Sequence, residues 1–309
     1  MIARAVDEAA RPAPYDWKRD LAGVDYASVP APETFAARDG TPLAVRRYES
    51  PSADVVIALH GSSAEGSYFH PLAAALAGRG RARVLVPDLR GHGASGGRRG
   101  DVDYVGQLED DIADLTRSVR ERSPRARVVL LGHSSGGGLA VRYAGGRREA
   151  QVDGFALLAP FLGATAPTTR PASGGWAEAD VPRIVELARR AAQGDTSGQD
   201  AVVLRFNKPP AQRTGREVLA YSYRLMVSYH PRQDLAADLS RIREPLLVLA
   251  GDRDESFVPD QYEPTISPHA RGTFKVLPGI SHLGLVVSRR TADEVDAWLL
   301  ALDRAGWGT

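Results

Sequence analysis

The chain has 309 residues, of which 43% are hydrophobic and 25% charged, with 39 Lys and Arg residues against 38 Asp and Glu residues. This near-neutral composition supports a sizeable core, excludes disorder along the whole chain and disfavours a dedicated nucleic-acid binder. Because the sequence contains no cysteine, disulfides, thiolate catalysis, iron–sulfur clusters and cysteine-ligated zinc are excluded as well.

The N-terminal part of the chain carries little hydrophobic periodicity. Residues 1–32 are rich in Ala and Pro and predict a surface arm. The first 20 residues lack the apolar stretch of a secretory signal, and no run of 18 apolar residues predicts a transmembrane helix. We therefore expect a cytoplasmic protein.

Short apolar runs and amphipathic segments alternate along most of the remaining chain. The turn signal Arg38-Asp39-Gly40 predicts a hairpin between the first two strands. Apolar runs predict strands at 34–37, 43–48, 55–59, 83–86, 128–131, 154–158, 246–250 and 274–277. Helical periodicity is present at 68–77, 105–119, 139–144 and 294–302. This alternation predicts an α/β fold, with a mostly parallel twisted sheet flanked by helices.

The segment 161–239 interrupts the alternation. It opens with Gly, Thr and Pro residues and carries helical patterns at 181–192 and 216–228. Because about 80 residues are too many for a plain loop, we interpret this segment as a mostly helical cap inserted into a core of residues 33–160 and 240–309. The alternative is an ordinary helical crossover with one long loop.

The strongest motif is Gly132-His133-Ser134-Ser135-Gly136, which lies between a predicted strand and a predicted helix. This context is what a G-x-S-x-G nucleophile turn requires, and it predicts Ser134 as the nucleophile. Ser135 fits less well, because His133 stands where the first glycine would be needed. The competing interpretation is a Gly-rich connector.

The loop His60-Gly61-Ser62-Ser63 follows the predicted strand 55–59. In this architecture an oxyanion hole uses the amide after the nucleophile and one from such an earlier loop. The sequence therefore predicts the backbone N–H groups of Ser62 and Ser135 as oxyanion donors. We interpret His60 as a structural residue of the loop.

A base and an acid are expected after the nucleophile in chain order. Of the three later histidines, His282 follows the last predicted strand, whereas His230 lies in the proposed cap and His269 precedes that strand. We predict His282 as the base, with His230 and His269 as surface or packing residues.

Three carboxylates compete for the role of the acid. Asp252, Asp254 and Glu255 follow the predicted strand 246–250. Asp252 stands beside Gly251 and suits a turn, whereas Asp254 lies further along the loop, where it could meet Nδ1 of His282. We predict Asp254, and the competing interpretation of the cluster is a solvated acidic turn.

Together these motifs resemble the α/β-hydrolase superfamily. The resemblance covers about residues 33–160 and 243–302, and the elbow and cap are similar to its monoglyceride-lipase and lysophospholipase-like branch. That branch commonly has Met where Ser135 stands. The matching segments are His60-Gly61, the 87–95 segment Pro-Asp-Leu-Arg-Gly-His-Gly-Ala-Ser, Gly132–Gly136, Gly251–Asp254 and Ser281-His282. The resemblance implies that the 87–95 segment is a structural loop, so His92 is not expected to be catalytic.

The resemblance implies an α/β-hydrolase fold and a serine esterase that cleaves a small-molecule, lipid-like or short acyl ester through an acyl-enzyme, with no metal or organic cofactor. Acyl transfer by a thioesterase, cyclase or acyltransferase would use the same residues, and peptide hydrolysis stays open. A ligand-binding protein of low turnover is a further alternative. Candidate pocket residues in the cap, which could equally be cap core, are Phe206, Tyr221, Tyr223, Arg224 and Tyr229.

Overall fold

The computed structural model describes residues 15–146 and 149–304. Its strands are β1 (Glu33–Ala36), β2 (Pro42–Tyr48), β3 (Val55–Leu59), β4 (Arg83–Pro87), β5 (Val128–His133), β6 (Gly154–Leu158), β7 (Ala177–Ala179), β8 (Val202–Phe206), β9 (Ala220–Ser222), β10 (Leu246–Arg253) and β11 (Thr273–Ser281). Its α-helices are α1 (Trp17–Asp20), α2 (His70–Gly78), α3 (Gln107–Arg122), α4 (Ser135–Gly145), α5 (Val181–Ala192), α6 (Tyr223–Ser228), α7 (Leu235–Ser240), α8 (Tyr262–Ile266), α9 (Gly284–Val287) and α10 (Arg289–Arg304).

Eight strands form one sheet in the order β1-β2-β4-β3-β5-β6-β10-β11. β2 pairs antiparallel with β1 and β4, and the other pairs are parallel. The central strands β3, β5 and β6 are buried along their whole length, which explains their continuous apolar sequences. The predicted mostly parallel sheet with flanking helices is confirmed.

The helices pack in two groups against the sheet. α2 contacts α9 and α10, and α4 contacts α3 and α7. In α3, Leu108, Ile112, Leu115 and Val119 are buried on one face, as their helical spacing predicts. No helix in the described part of the chain is long and apolar enough to span a bilayer.

The segment between β6 and β10 contains α5, α6, α7 and a three-stranded antiparallel sheet, β7-β8-β9. The predicted helix at 181–192 matches α5, which Asp180 caps at its N-terminus. The predicted helix at 216–228 is wrong in its first part. There, residues 220–222 pair with β8, and the Ser222 side chain caps α6 by accepting a hydrogen bond from the Leu225 N–H. This small sheet was not predicted, because three-residue strands are too short to show an alternating pattern.

The N-terminal arm differs from its sequence interpretation. Residues 1–14 of the predicted surface arm lie outside the described residues. In the remainder, the side chain of Trp17 on α1 is buried, with 9% of its surface exposed. The backbone N–H of Trp17 donates a hydrogen bond to Oε1 of Gln212 at 3.2 Å, and the Asp20 carboxylate accepts one from Ser281 Oγ at 2.8 Å. Trp17 and Asp20 therefore attach this part of the arm to the folded protein, whereas Lys18 and Arg19 are exposed.

Candidate active site

Ser134 lies at the sharp turn between β5 and α4. Its backbone has φ 56° and ψ −123°, a positive-φ conformation that non-glycine residues seldom adopt. The turn is held by hydrogen bonds from the Ser134 N–H to the Leu158 carbonyl and from the Phe161 N–H to the Ser134 carbonyl, both 2.9 Å. A strained serine at a strand-to-helix turn is the geometry of a nucleophile elbow.

Two glycines of the motif allow the chain to turn this tightly. A Cβ atom on Gly136 would lie 2.1 Å from the Leu59 carbonyl oxygen, and one on Gly132 would lie 2.4 Å from the Gly136 carbonyl oxygen. Neither gap accommodates a side chain, because both neighbouring atoms belong to the backbone. The spacing of glycines around Ser134 therefore follows from the packing of α4 against β3.

The loop after β3 packs directly against Ser134. A Cβ atom on Gly61 would lie 3.1 Å from Cβ of Ser134. The Ser63 N–H donates to the Tyr221 hydroxyl at 2.7 Å, whereas the Ser62 N–H makes no hydrogen bond to a described residue. Ser135 is the first residue of α4, where backbone N–H groups lack intrahelical partners. The Ser62 and Ser135 amides are thus available beside Ser134.

Asp254 and His282 form a buried pair. Nδ1 of His282 donates to Oδ2 of Asp254 at 2.7 Å, and neither residue is more than 3% exposed. Oδ1 of Asp254 accepts from the backbone N–H groups of Ser256 and Phe257, both at 2.9 Å. With Nδ1 protonated, Nε2 of the neutral imidazole is left as a proton acceptor.

Asp252 occupies a different place from Asp254. It is exposed, and its Oδ1 accepts from the Gly279 N–H at 2.6 Å. This contact joins the ends of β10 and β11. Asp252 therefore lies within β10 and not in a turn, which corrects the expectation drawn from its position beside Gly251.

Ser134 and His282 line the same small cavity, which we call the Ser134 cavity. Its volume is about 20 Å³, and Gly61, Ser62 and Tyr68 also line it. Ser134 Oγ makes no hydrogen bond to a described residue. In sites without substrate the bond between nucleophile and base is often long, and it tightens when substrate binds.

Two buried side chains hold the backbone of His282. Oε2 of Glu255 accepts from the His282 N–H at 3.0 Å, and Nε2 of His133 donates to the His282 carbonyl at 3.1 Å. Burial raises the pKa of the Glu255 carboxyl. Glu255, which the sequence offered as a competing acid, therefore contacts the main chain of His282 rather than its imidazole.

His133 belongs to a hydrogen-bonded chain that the sequence analysis missed. Because its Nε2 donates to a carbonyl, its Nδ1 accepts from the Tyr68 hydroxyl at 3.0 Å, and that oxygen accepts from the Gly61 N–H at 2.8 Å. Burial lowers the pKa of His133 well below its ordinary value. The neutral His133 ring therefore links the His60–Ser63 loop to His282. The position of His133 directly before Ser134 was the one feature of the sequence that could have indicated this role.

Other histidines occupy structural positions. Nδ1 of His60 donates to the Gly61 carbonyl at 2.9 Å, and its Nε2 accepts from the Leu89 N–H at 3.0 Å. His92 donates to the Arg90 carbonyl at 3.0 Å and accepts from the Tyr221 hydroxyl at 2.6 Å. The ring of His230 packs on Phe161, and His269 is half-buried after α8.

The five predicted pocket residues line neither the Ser134 cavity nor the cleft of about 710 Å³ between the N-terminal arm and residues 208–217, so this expectation is corrected. Tyr221 and Tyr229 are fully buried, with their hydroxyls bonded to His92 and to the His60 carbonyl. Arg224 pairs with Asp101 at 2.6 Å, and the Tyr223 side chain is buried on α6. Phe206 reaches the site only indirectly, through its stack on Trp176. Aromatic and basic side chains here serve the junction between the inserted segment and the sheet.

Aromatic rings from distant parts of the chain cover the imidazole. The Tyr15 ring stacks on His282 with 5.4 Å between ring centroids, and the Tyr15 hydroxyl bonds to Ser256 Oγ. Trp176 packs edge-on against Tyr15 and donates from Nε1 to Ser62 Oγ at 3.1 Å. The sequence analysis missed both residues.

No group of three metal-ligating side chains is present within residues 15–146 and 149–304.

We predict that the protein loses stability as the pH falls from 7.5 to 5. Burial lowers the pKa of His60 to about 4 and that of His92 to about 3, whereas both titrate near 6.5 when unfolded. At a pH between the folded and unfolded pKa values, the unfolded chain binds more protons than the folded protein. Lowering the pH from 7.5 to 5 therefore lowers the free energy of unfolding by about 2 kcal/mol per histidine. Burial raises the pKa of Glu255 and raises that of Asp111 to about 6, and both shifts oppose this trend.

Urea unfolding of the parent protein and of His92→Gln at both pH values measures this effect. The variant is less stable throughout, but its loss of stability between pH 7.5 and 5 is smaller by about 2 kcal/mol, because one titrating ring is gone. An equal pH dependence in both proteins would show that His92 does not titrate on unfolding.

The chain matches the model of the family described as serine aminopeptidase, S33, over residues 50–285. A non-heme haloperoxidase of Rhodococcus erythropolis is 29% identical over 238 residues, which cover 71% of this chain and 81% of that protein. A monoacylglycerol lipase of Mycolicibacterium smegmatis is 30% identical over 110 residues, which cover 36% of this chain and 39% of the lipase.

Solved structures share the fold at low sequence identity. A soluble variant of monoglyceride lipase from Saccharomyces cerevisiae, in complex with a substrate analogue, is 18% identical. The alignment covers 88% of this chain and 95% of that chain, with a TM-score of 0.67. A monoacylglycerol lipase of Paleococcus ferrophilus, 20% identical, aligns over 84% of this chain and 98% of its own with a TM-score of 0.59.

Proposed function

The chain belongs to the serine aminopeptidase S33 family of hydrolases within the α/β-hydrolase superfamily, and from this premise we propose that it cleaves a carboxylic ester through a Ser134–His282–Asp254 triad. The observation that carries the proposal is the 2.7 Å hydrogen bond from His282 to Asp254. This bond leaves Nε2 of His282 free to accept a proton. The imidazole lines the same cavity as Ser134.

In the first half-reaction, Ser134 Oγ attacks the ester carbonyl carbon while its proton passes to Nε2 of His282. Asp254 fixes the tautomer of the imidazole and stabilises the imidazolium that forms. The carbonyl oxygen becomes an oxyanion, which accepts hydrogen bonds from the Ser62 and Ser135 amides. One such donor contributes about 3 kcal/mol to the stability of the transition state.

Collapse of the tetrahedral intermediate breaks the bond to the leaving alcohol, and the alkoxide takes the proton from Nε2 of His282. The acyl group is then an ester of Ser134. Water attacks this ester, with His282 again accepting a proton and then returning it to Ser134 Oγ. The products are a carboxylic acid and an alcohol, and every atom and charge is accounted for by these residues.

The proposal is tested by assaying the purified chain on p-nitrophenyl esters, monoacylglycerols, lysophospholipids, thioesters and prolyl amides. We expect turnover of oxygen esters, with release of free acid. Cleavage of amides alone would overturn the ester assignment. If an added alcohol captures most of the acyl group in place of water, the reaction is acyl transfer rather than hydrolysis.

A further inference from the structure

Two spaces of very different size meet beside Ser134. The Ser134 cavity, at about 20 Å³, has room for roughly one water molecule, whereas ligand pockets usually measure about 300–1,000 Å³. A neighbouring cleft of about 710 Å³ lies between the N-terminal arm and residues 208–217. Trp17, Ala64 and Tyr68 line both spaces. These three residues therefore form the boundary that the Ser134 cavity shares with the cleft.

Of the three shared residues, only Trp17 has a large side chain that no hydrogen bond to a described residue holds in place; its ring is held by packing, with 5.6 Å between its centroid and that of Trp176. Ala64 carries just a methyl group, and the Tyr68 hydroxyl is held by Gly61 and His133. The indole Nε1 of Trp17 is buried and has no hydrogen-bond partner among the described residues. Rotating the Trp17 side chain breaks no hydrogen bond, and the backbone contact of Trp17 with Gln212 can remain in place.

The cleft has an apolar wall and a charged rim. Trp17, Leu21, Val24 and Ala211 contribute apolar surface. Its acidic side chains are already paired, Glu217 with Lys208 at 2.5 Å and Glu65 with Arg216 at 3.3 Å. The Lys208 ammonium lies 4.4 Å from the centroid of the Trp17 ring. The apolar wall fits an extended alkyl arm.

We propose that Trp17 is the specificity-determining residue of this site, and that its side chain separates the Ser134 cavity from the cleft that receives the longer arm of the ester. The inference rests on the proposed ester hydrolysis. With the indole in place, the space beside Ser134 is too small for a long acyl chain. With the indole displaced, the two spaces join and a medium-length alkyl chain lies along the wall formed by the N-terminal arm.

The test compares kcat/KM for p-nitrophenyl decanoate and p-nitrophenyl acetate in the parent protein and in Trp17→Ala. The ratio of decanoate to acetate is expected to rise about tenfold, the scale at which hydrophobic pockets discriminate small size changes. Tyr104→Ala removes an exposed aromatic side chain remote from the site and serves as the control, with an unchanged ratio. A ratio within twofold of the parent in Trp17→Ala overturns the inference.

Two more variants keep the test decisive if Trp17→Ala does not fold. Trp17→Phe retains an aromatic ring but shortens it, and it is expected to raise the ratio about threefold, less than Trp17→Ala does. Ala211→Trp fills the exposed side of the cleft, and it is expected to lower the ratio about tenfold. An unchanged ratio in both variants overturns the inference, whereas a parent protein that cleaves neither ester overturns the proposed function instead.

Discussion

Replacing Ser134 with alanine is expected to lower kcat/KM for p-nitrophenyl acetate by on the order of 10⁴-fold or more. The substitution removes the only atom that forms the covalent bond to substrate in the proposed reaction, while both oxyanion amides remain. Because the alanine methyl group is smaller than the serine side chain, the turn between β5 and α4 can keep its packing. Steady-state hydrolysis and a thermal unfolding curve, measured on the same preparations, separate lost chemistry from lost fold.

Ser135→Ala is the matched control for Ser134→Ala. Ser135 is the adjacent residue of the same type, and its proposed contribution is a backbone N–H that alanine also supplies. Its activity is expected to stay within about tenfold of the parent, far from a loss on the triad scale. If Ser134→Ala also stayed within tenfold, or if Ser135→Ala were the more damaging change, the assignment of the nucleophile would be wrong.

Asp254→Asn is expected to lower kcat by about 10⁴-fold, as an amide in this position does in other triads. The carboxylate accepts a hydrogen bond from the protonated Nδ1 of His282 at 2.7 Å. This bond keeps the proton on Nδ1 and leaves Nε2 unprotonated. An amide nitrogen in its place would donate to Nδ1 and favour the tautomer with the proton on Nε2. That tautomer cannot accept the proton of Ser134.

Asp252→Asn is the control for Asp254→Asn, since it makes the same chemical change two residues away. Asp252 accepts from the Gly279 N–H, which an asparagine oxygen can also do. We expect kcat within about threefold of the parent for this control, in contrast to the loss of a triad tautomer. The pH profile of kcat/KM is measured alongside. Equal losses in the two variants would show that Asp254 is not the acid.

The parallel sheet and the Ser134 turn could be predicted because their causes are local. Strands buried on both faces need continuous apolar runs, and the Ser134 turn needs glycine at 132 and 136, where a Cβ atom would meet backbone. Both requirements leave a pattern in a single sequence. The pairing of Asp254 with His282 was predicted from the chain order of nucleophile, acid and base and from the position of Asp254 in the loop after the predicted strand 246–250.

The role of the N-terminal arm could not be predicted, because its contacts are distant in sequence. Tyr15 stacks on His282, and Trp17 packs against Trp176. A four-residue helix is too short to show a hydrophobic periodicity that would predict a buried face. Single aromatic residues in an Ala- and Pro-rich segment gave no reason to place them on the site.

The prediction that aromatic residues of the inserted segment line a substrate pocket was wrong for a related reason. Tyr221 and Tyr229 are apolar enough to be buried and carry hydroxyls that need partners. The structure supplies those partners in the His60 and His92 loops rather than in a substrate pocket. Side-chain type alone does not distinguish these two environments. Likewise, the sequence analysis assigned no role to His133, although its side chain bonds to the main chain of His282.

The most direct test of the central claim is to treat the protein with a fluorophosphonate and locate the adduct by mass spectrometry. Trypsin releases residues 128–142 as one peptide that contains both Ser134 and Ser135, and fragmentation distinguishes them. The account predicts one adduct per chain, on Ser134, and none in Ser134→Ala. An adduct on Ser135 or elsewhere, or no labelling of folded protein, would contradict it.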